Sequence, residues 1–324
     1  MSHRRPFAIV LYLLAAELAQ TLGASAGTAA DDYQRQPIRS LRLVIHTSTW
    51  MAMAPPDVRA LIAERLASQQ VRVVSPGEAS TDGTLRIDYR ETKRSSFGPR
   101  GWPVLTGSSG TGTNISCSIE LVHPQIGSVH TQELSVSTSE TVYGIPSSGV
   151  SASGSVADSF LRDDAVRNFQ TAMSRDFDFR VFQIKLAAKV GAVAYLASLL
   201  KGKAGDADLR STAVEGLKAV GDGPAAEALL AVVRDADEEP RVKDAAMLAI
   251  PIIVARQLEP SRAMLLQRLL GALNDASAFV RLRVVKILAA VRDRRALESL
   301  RQVAAADPDE DIRYAAELAV KELR

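Results

Sequence analysis

From about residue 176 to residue 324 the sequence repeats itself, and a repeat fixes an architecture before any local motif does. Phe179-Arg180 precedes Val190-Gly191 and Leu199-Leu200, and about thirty residues later Leu209-Arg210 precedes Val220-Gly221 and Leu229-Leu230 in the same register. Further copies begin at Val242-Lys243, Val280-Arg281 and Ile312-Arg313, each with an aspartate (Asp237, Asp275, Asp307) six residues before its basic residue. Within a copy the apolar positions fall at helical spacing in two runs, so each copy reads as a helix pair. Leu217, Val220, Leu229, Leu230 and Val233 are more apolar side chains than one such hairpin can hide. Burying each large aliphatic group stabilises by about 1.5 to 3 kcal/mol, so neighbouring pairs must stack into a solenoid.

Asp275-Ala276-Ser277-Ala278-Phe279-Val280-Arg281 with Val284 and Leu288, and Asp307 to Arg313 with Ala316 and Val320, resemble HEAT repeats, most closely the short variety of phycobilisome lyases. The resemblance covers nearly all of 176–324. Lys243 departs from it by replacing arginine, and the third copy is lengthened around Pro251 and Pro260. Pro251 removes an intrahelical hydrogen bond and is expected to bend its helix. The last copy stops after one helix, with Asp307-Pro308 expected as its N-cap and first-turn pair. The repeated arginines are expected to bind aspartates or helix-end carbonyls between adjacent turns, work that suits a planar guanidinium.

What the resemblance implies for function is protein binding. In HEAT-like stacks the second helix of each pair lines the concave side, and here those helices are expected from Pro224, Ser261 and Arg294. Leu229, Leu230, Leu269, Leu297 and Leu300 take the buried stripe, which leaves Glu227, Arg234, Arg268, Arg294, Glu298 and Arg301 facing outward as the protein-binding set. The alternative for these six is a solvated face with intrahelical pairs worth about 0.2 to 0.5 kcal/mol each. Short HEAT repeats also occur in chromophore lyases, where they present a tetrapyrrole to an acceptor cysteine. That makes a lyase a second reading and a purely structural envelope protein a third.

The preceding residues have another character. Leu41-Arg42-Leu43-Val44-Ile45-His46 reads as a strand, and Pro55-Pro56-Asp57 opens a helix carrying Val58, Leu61, Ile62 and Leu66. Leu85 to Tyr89 alternates as a half-buried strand does, and 115–122 with 129–136 forms a hairpin around Pro124-Gln125-Ile126-Gly127-Ser128. The glycine- and serine-rich stretch 95–114 is expected to be a flexible excursion, and its Gly107-Ser108-Ser109-Gly110-Thr111-Gly112 run lacks the lysine of a phosphate loop. This order gives an α+β sandwich, one helix layer over a sheet. It resembles small domains of Gram-negative envelope auxiliary proteins. The organisation expected is therefore a leader at 1–26, an α+β domain at 27–155, a connecting helix at 156–175 and a HEAT-like α-solenoid at 176–324.

Arg4 and Arg5, the apolar run 7–16 and Ala24-Ser25-Ala26 have the form of a secretory signal peptide cleaved before Gly27. Glu17 and Gln20 interrupt the run short of the roughly 20 residues that a spanning helix needs. The expectation is an exported chain, periplasmic if the host is Gram-negative, with no transmembrane segment after cleavage and with peripheral association to the envelope left open. Lysine plus arginine (39) nearly balances aspartate plus glutamate (37), both signs interspersed, which argues against nucleic acid as partner.

No residues are assigned to catalysis, cofactor or metal. His46, His123 and His130 could make three metal ligands only if His46 approached the hairpin, and two polar histidines at a hairpin end are the simpler reading. Ser198-Leu199-Leu200-Lys201 has a serine-x-x-lysine spacing but sits near the end of a repeat helix. Cys117, the single cysteine, is expected to be a buried apolar group on a strand. The chain is thus expected to be a non-enzymatic scaffold or adaptor for a protein partner.

Overall fold

The structure, a computed structural model, describes residues 38–50, 56–75, 78, 81–96, 108–143, 154–201 and 206–324. The leader and its cleavage site lie outside these residues. The described chain forms two compact units, 38–183 and 184–324.

In the first unit a mixed sheet has the order β2-β1-β3-β4-β5. Its strands are β1 (Ser40–Ser48), β2 (Arg72–Val73), β3 (Gly83–Ser96), β4 (Ser108–His123) and β5 (Gly127–Tyr143). β1 runs parallel to both β2 and β3, and β3, β4 and β5 are antiparallel. Alternation sends Leu85, Ile87, Tyr89, Ile115, Cys117, Ile119 and Leu121 into the core and leaves Arg86, Arg90 and Ser116 outside it. Helices α1 (Val58–Ser68) and α2 (Gly154–Asp176) cover the apolar face. Val58, Ile62 and Leu66, four residues apart, are the buried stripe of α1, and the Asp57 carboxylate caps it by accepting from Ala60 N at 2.9 Å. From α2, Leu161, Ala165, Phe169 and Met173 are buried, with the Phe169 ring edge-on to Tyr89 at 5.2 Å.

Two expectations change here. Residues 108–114 are not an excursion: they are the first half of β4, paired with β5 throughout and with β3 from Gly110 on, with Gly112 opposite Arg94 on β3 and Ser139 on β5. Their serines and threonines extend well once two neighbouring ladders satisfy the backbone, and only 97–107 of the stretch lies outside the described residues. The segment 156–175 lies within α2 and packs on β4, β5 and α1.

The second unit is all helical. α3 (Phe179–Val190) straddles the division between units. After it come α4 (Val193–Lys201), α5 (Ala207–Val220), α6 (Gly223–Arg234), α7 (Pro240–Arg256), α8 (Ser261–Ala272), α9 (Ala278–Val291), a 3-10 turn (Arg294–Ala296), α10 (Leu297–Ala306) and α11 (Glu310–Leu323). First helices α5, α7, α9 and α11 pack side by side in one layer, and α4, α6 and α8 in the other. The fold class is thus the expected one, α+β followed by a stack of helix pairs. α7 continues through Pro251 to Arg256. The last helix is capped by Asp309, which accepts from Asp311 N and Ile312 N, and not by Asp307. Asp307 is buried and engaged elsewhere.

Candidate functional site

In two copies the opening arginine reaches an acid of the next turn and so ties neighbouring repeats together. On α9, Arg281 grips Asp307 of the next turn with two hydrogen bonds, Nε to Oδ2 at 2.8 Å and Nη2 to Oδ1 at 2.9 Å. Its remaining nitrogen donates to the Asp275 and Ala276 carbonyls at 3.0 and 3.2 Å, closing the last turn of the preceding segment. Arg210 likewise meets Glu238 at 3.1 Å, and Arg313 donates to the Asp307 carbonyl at 2.8 Å. Lys243 keeps only the carbonyl half of this arrangement, Nζ to Ala236 O at 2.8 Å, because an ammonium lacks the fork that spans two acceptors. The guanidinium of Arg281 holds the Asp307 carboxyl below the usual carboxylate range, against the opposing effect of burial. These arginines are structural.

Five of the six outward residues sit on the second helices. Glu227 and Arg234 lie on α6, Arg268 on α8, Glu298 and Arg301 on α10, and all are exposed. Arg294 is exposed too, but in the 3-10 turn ahead of α10. Leu229, Leu230, Leu269 and Leu300 are buried beneath them, while Leu297 is half-buried.

Three of the six share one groove of about 570 Å³ between α6 and α8, where Glu227, Arg234 and Arg268 stand over Leu230, Ala231 and Gly271. Arg268 bridges to Glu227 across the two helices at 2.8 Å, and Arg234 faces Asp275 at 3.7 Å. A second groove, about 430 Å³, runs between α8 and α10 past Leu273, Ser299, Gln302 and Val303. Glu298 pairs with Arg301 within α10 at 3.5 Å. The charges are therefore not a row of intrahelical pairs alone: two of the three pairs, Glu227–Arg268 and Arg234–Asp275, cross between repeats.

The other sequence candidates are dispersed. His46 is on β1 opposite Asp88. His123 ends β4, its Nδ1 accepting from Gln125 N, and burial lowers its pKa while Asp82 partly offsets that. His130 packs edge-on to Phe182 at 5.0 Å. Among the described residues no three His, Cys, Asp or Glu side chains are grouped to hold a metal. Ser198 Oγ donates to Tyr195 O at 2.7 Å, one turn back along its own helix. Cys117 is buried, and burial pushes its thiol up to about 12.

Sequence reasoning missed two polar clusters. Arg162 on α2 reaches the buried Glu91 on β3 through two bonds of 2.8 and 2.9 Å, and Tyr89 donates its hydroxyl to the same carboxylate at 2.7 Å. In the second unit Asp293 receives Arg262 at 3.1 Å and Arg295 at 2.7 Å, and Arg295 also meets Glu259 at 2.9 Å. Neither follows from a local pattern, since the partners lie far apart in sequence or in turns of unlike composition.

The family model for HEAT repeats matches residues 237–321. No curated protein sequence matches the chain. Among solved structures, the minor lipoprotein of Acinetobacter baumannii aligns at 12% identity over 43% of this chain and 89% of that one, with a TM-score of 0.28. Rare lipoprotein B of Shewanella oneidensis aligns at 12% over 41% and 91%, TM-score 0.27. Lipoprotein B of Nitrosomonas europaea aligns at 10% over 49% and 89%, TM-score 0.30. Among the described residues no helix is long and apolar enough to cross a membrane.

Proposed function

We propose that the chain is an exported scaffold of the cell envelope and not an enzyme, and that the second-helix face of its repeat stack binds a protein partner. The observation that carries this reading is the groove between α6 and α8, where Glu227, Arg234 and Arg268 flank an apolar floor. Small residues at Ala231 and Gly271 let a partner backbone approach, and the charges set orientation and association rate more than affinity. Export rests on the form of the leader. The non-enzymatic reading is favoured by where the nucleophile candidates stand: Cys117 is a protonated core thiol, and Ser198 bonds its own helix backbone.

Capture from envelope extracts followed by charge reversal tests this. Reversing Arg268 and Arg301 together is expected to weaken capture at least tenfold with little change in thermal stability, because both are exposed. The control swaps Glu215 and Lys218, an ion pair on first helix α5. Loss of the partner in the control, with the double reversal unaffected, would move binding to the first-helix face. A coloured purified protein would favour the lyase reading, since a bound tetrapyrrole absorbs visible light.

A further inference from the structure

We propose that the edge of the second unit formed by the α7–α8 and α9–α10 turns docks on an anionic lipid surface, with arginines on headgroup phosphates and Leu258 in the acyl boundary. The carboxylates of these turns are already used: Asp293 takes Arg262 and Arg295, and Glu259 takes Arg295. That network clamps the two turns to one another and leaves other cations without an acid. Arg292 and Arg294 are exposed and form no ion pair among the described residues, and Arg256 reaches only the Lys218 carbonyl, at 3.4 Å. Leu258, at the tip of the same clamped turn, is 83% exposed, and Met264 near the start of α8 is 56% exposed.

The backbone at Arg292 is the independent sign. In two earlier copies the residue that ends the first helix is a glycine in the left-handed region, Gly191 at φ 74° and Gly221 at φ 71°. The corresponding residue after Val291 is Arg292, at φ 55°. Glycine adopts that conformation freely, whereas an L side chain is strained there. A strained residue is a reason to look for function, and this one holds out a guanidinium with no ion pair among the described residues, on a turn clamped to the one that carries exposed Leu258. Guanidinium forks suit phosphate oxygens, and an aliphatic side chain among them is buried when the headgroup layer closes over it.

The test uses the full chain with vesicles of phosphatidylcholine alone and of phosphatidylcholine mixed with phosphatidylglycerol. Wild type is expected to bind the anionic vesicles preferentially, and less so as salt rises. Each arginine near such a surface contributes about fivefold, so Arg256→Gln with Arg292→Gly should bind roughly 25-fold more weakly. Leu258→Ser should lose roughly another tenfold. Arg292→Gly should also melt at the same or a higher temperature, which separates a lost contact from a lost fold. The leader is identical in all variants, so their ratio reports the edge. Equal binding to neutral and anionic vesicles, or variants that bind as wild type does, overturns the proposal. So does a wild type that ignores vesicles but is retained by immobilised polyglutamate, which would assign the edge to an acidic protein.

Discussion

At the scale of single residues, Arg281 shows how one side chain can do two jobs in the stack. Arg281 closes its own turn through carbonyls and reaches the next through Asp307, which is 8% exposed. Arg281→Ala should leave that carboxylate buried without its cation and destabilise the unit by about 3 kcal/mol. At Lys243 the acidic half is missing, and Asp275 of the next turn faces Arg234 instead. Lys243→Arg is therefore expected to add up to about 1 kcal/mol by restoring the fork, measured by urea unfolding. The pH dependence follows with a definite sign. Asp307 and Asp293 are held below the usual carboxylate range chiefly by side-chain hydrogen bonds from Arg281 and Arg295. Carboxyls depressed in the folded state stabilise it above their unfolded pKa of about 3.9 and lose that contribution as pH falls through the folded value. Unfolding midpoints should drop below about pH 4, and Arg281→Ala should show a smaller drop.

At the scale of elements, α2 is fixed to the sheet by apolar burial and by one buried ion pair. Phe169 and Met173 supply the first. Arg162 and Glu91, both 3% exposed, supply the second, and Thr138 Oγ1 adds a bond to the Leu161 carbonyl at 2.9 Å. Removing one partner of such a pair strands a charge, whereas removing both can be nearly neutral. Arg162→Met should cost about 3 to 5 kcal/mol, and Arg162→Met with Glu91→Leu clearly less than the sum of the two single changes. Strict additivity in chemical denaturation would show that α2 is held by apolar packing alone. The Tyr89 hydroxyl, whose pKa is raised by burial and by Glu91, should stay protonated to high pH in the wild type.

For the molecule as a whole, the sequence period begins near residue 176, whereas the compact units divide between Gln183 and Ile184. Between these positions lie Phe177, Phe179 and Phe182, all fully buried in the first unit, with ring centroids 5.9 Å apart from Phe177 to Phe182 and from Phe179 to Phe182. Gln183 also donates to the Ile38 carbonyl at 3.1 Å. A fragment of residues 27–175 omits these rings, each worth about 1.5 to 3 kcal/mol of burial. It should melt at a clearly lower temperature than a fragment of residues 27–190, with poorer amide dispersion in NMR. Equal stability of the two would mean that the phenylalanines do not belong to the first core.

Much was legible in one dimension because it is carried by spacing. The recurrence of a basic residue about every thirty to forty positions marked the helix pairs, and the apolar stripes placed Leu229, Leu230, Leu269 and Leu300 inside and Glu227, Arg268 and Arg301 outside. Alternation likewise marked 115–122 and 129–136 as a hairpin. Spacing cannot choose among distant partners. Whether 108–114 is loop or strand depends on two neighbours that satisfy its backbone, and its own glycines and serines argue the other way. Which acid Arg281 meets, that Asp307 is therefore lost as a cap, and that Glu91 sits 71 residues from the arginine that neutralises it were all decided by packing. A helix period is written into each segment by which side must be buried, but a buried charge finds its partner only once the segments are already side by side.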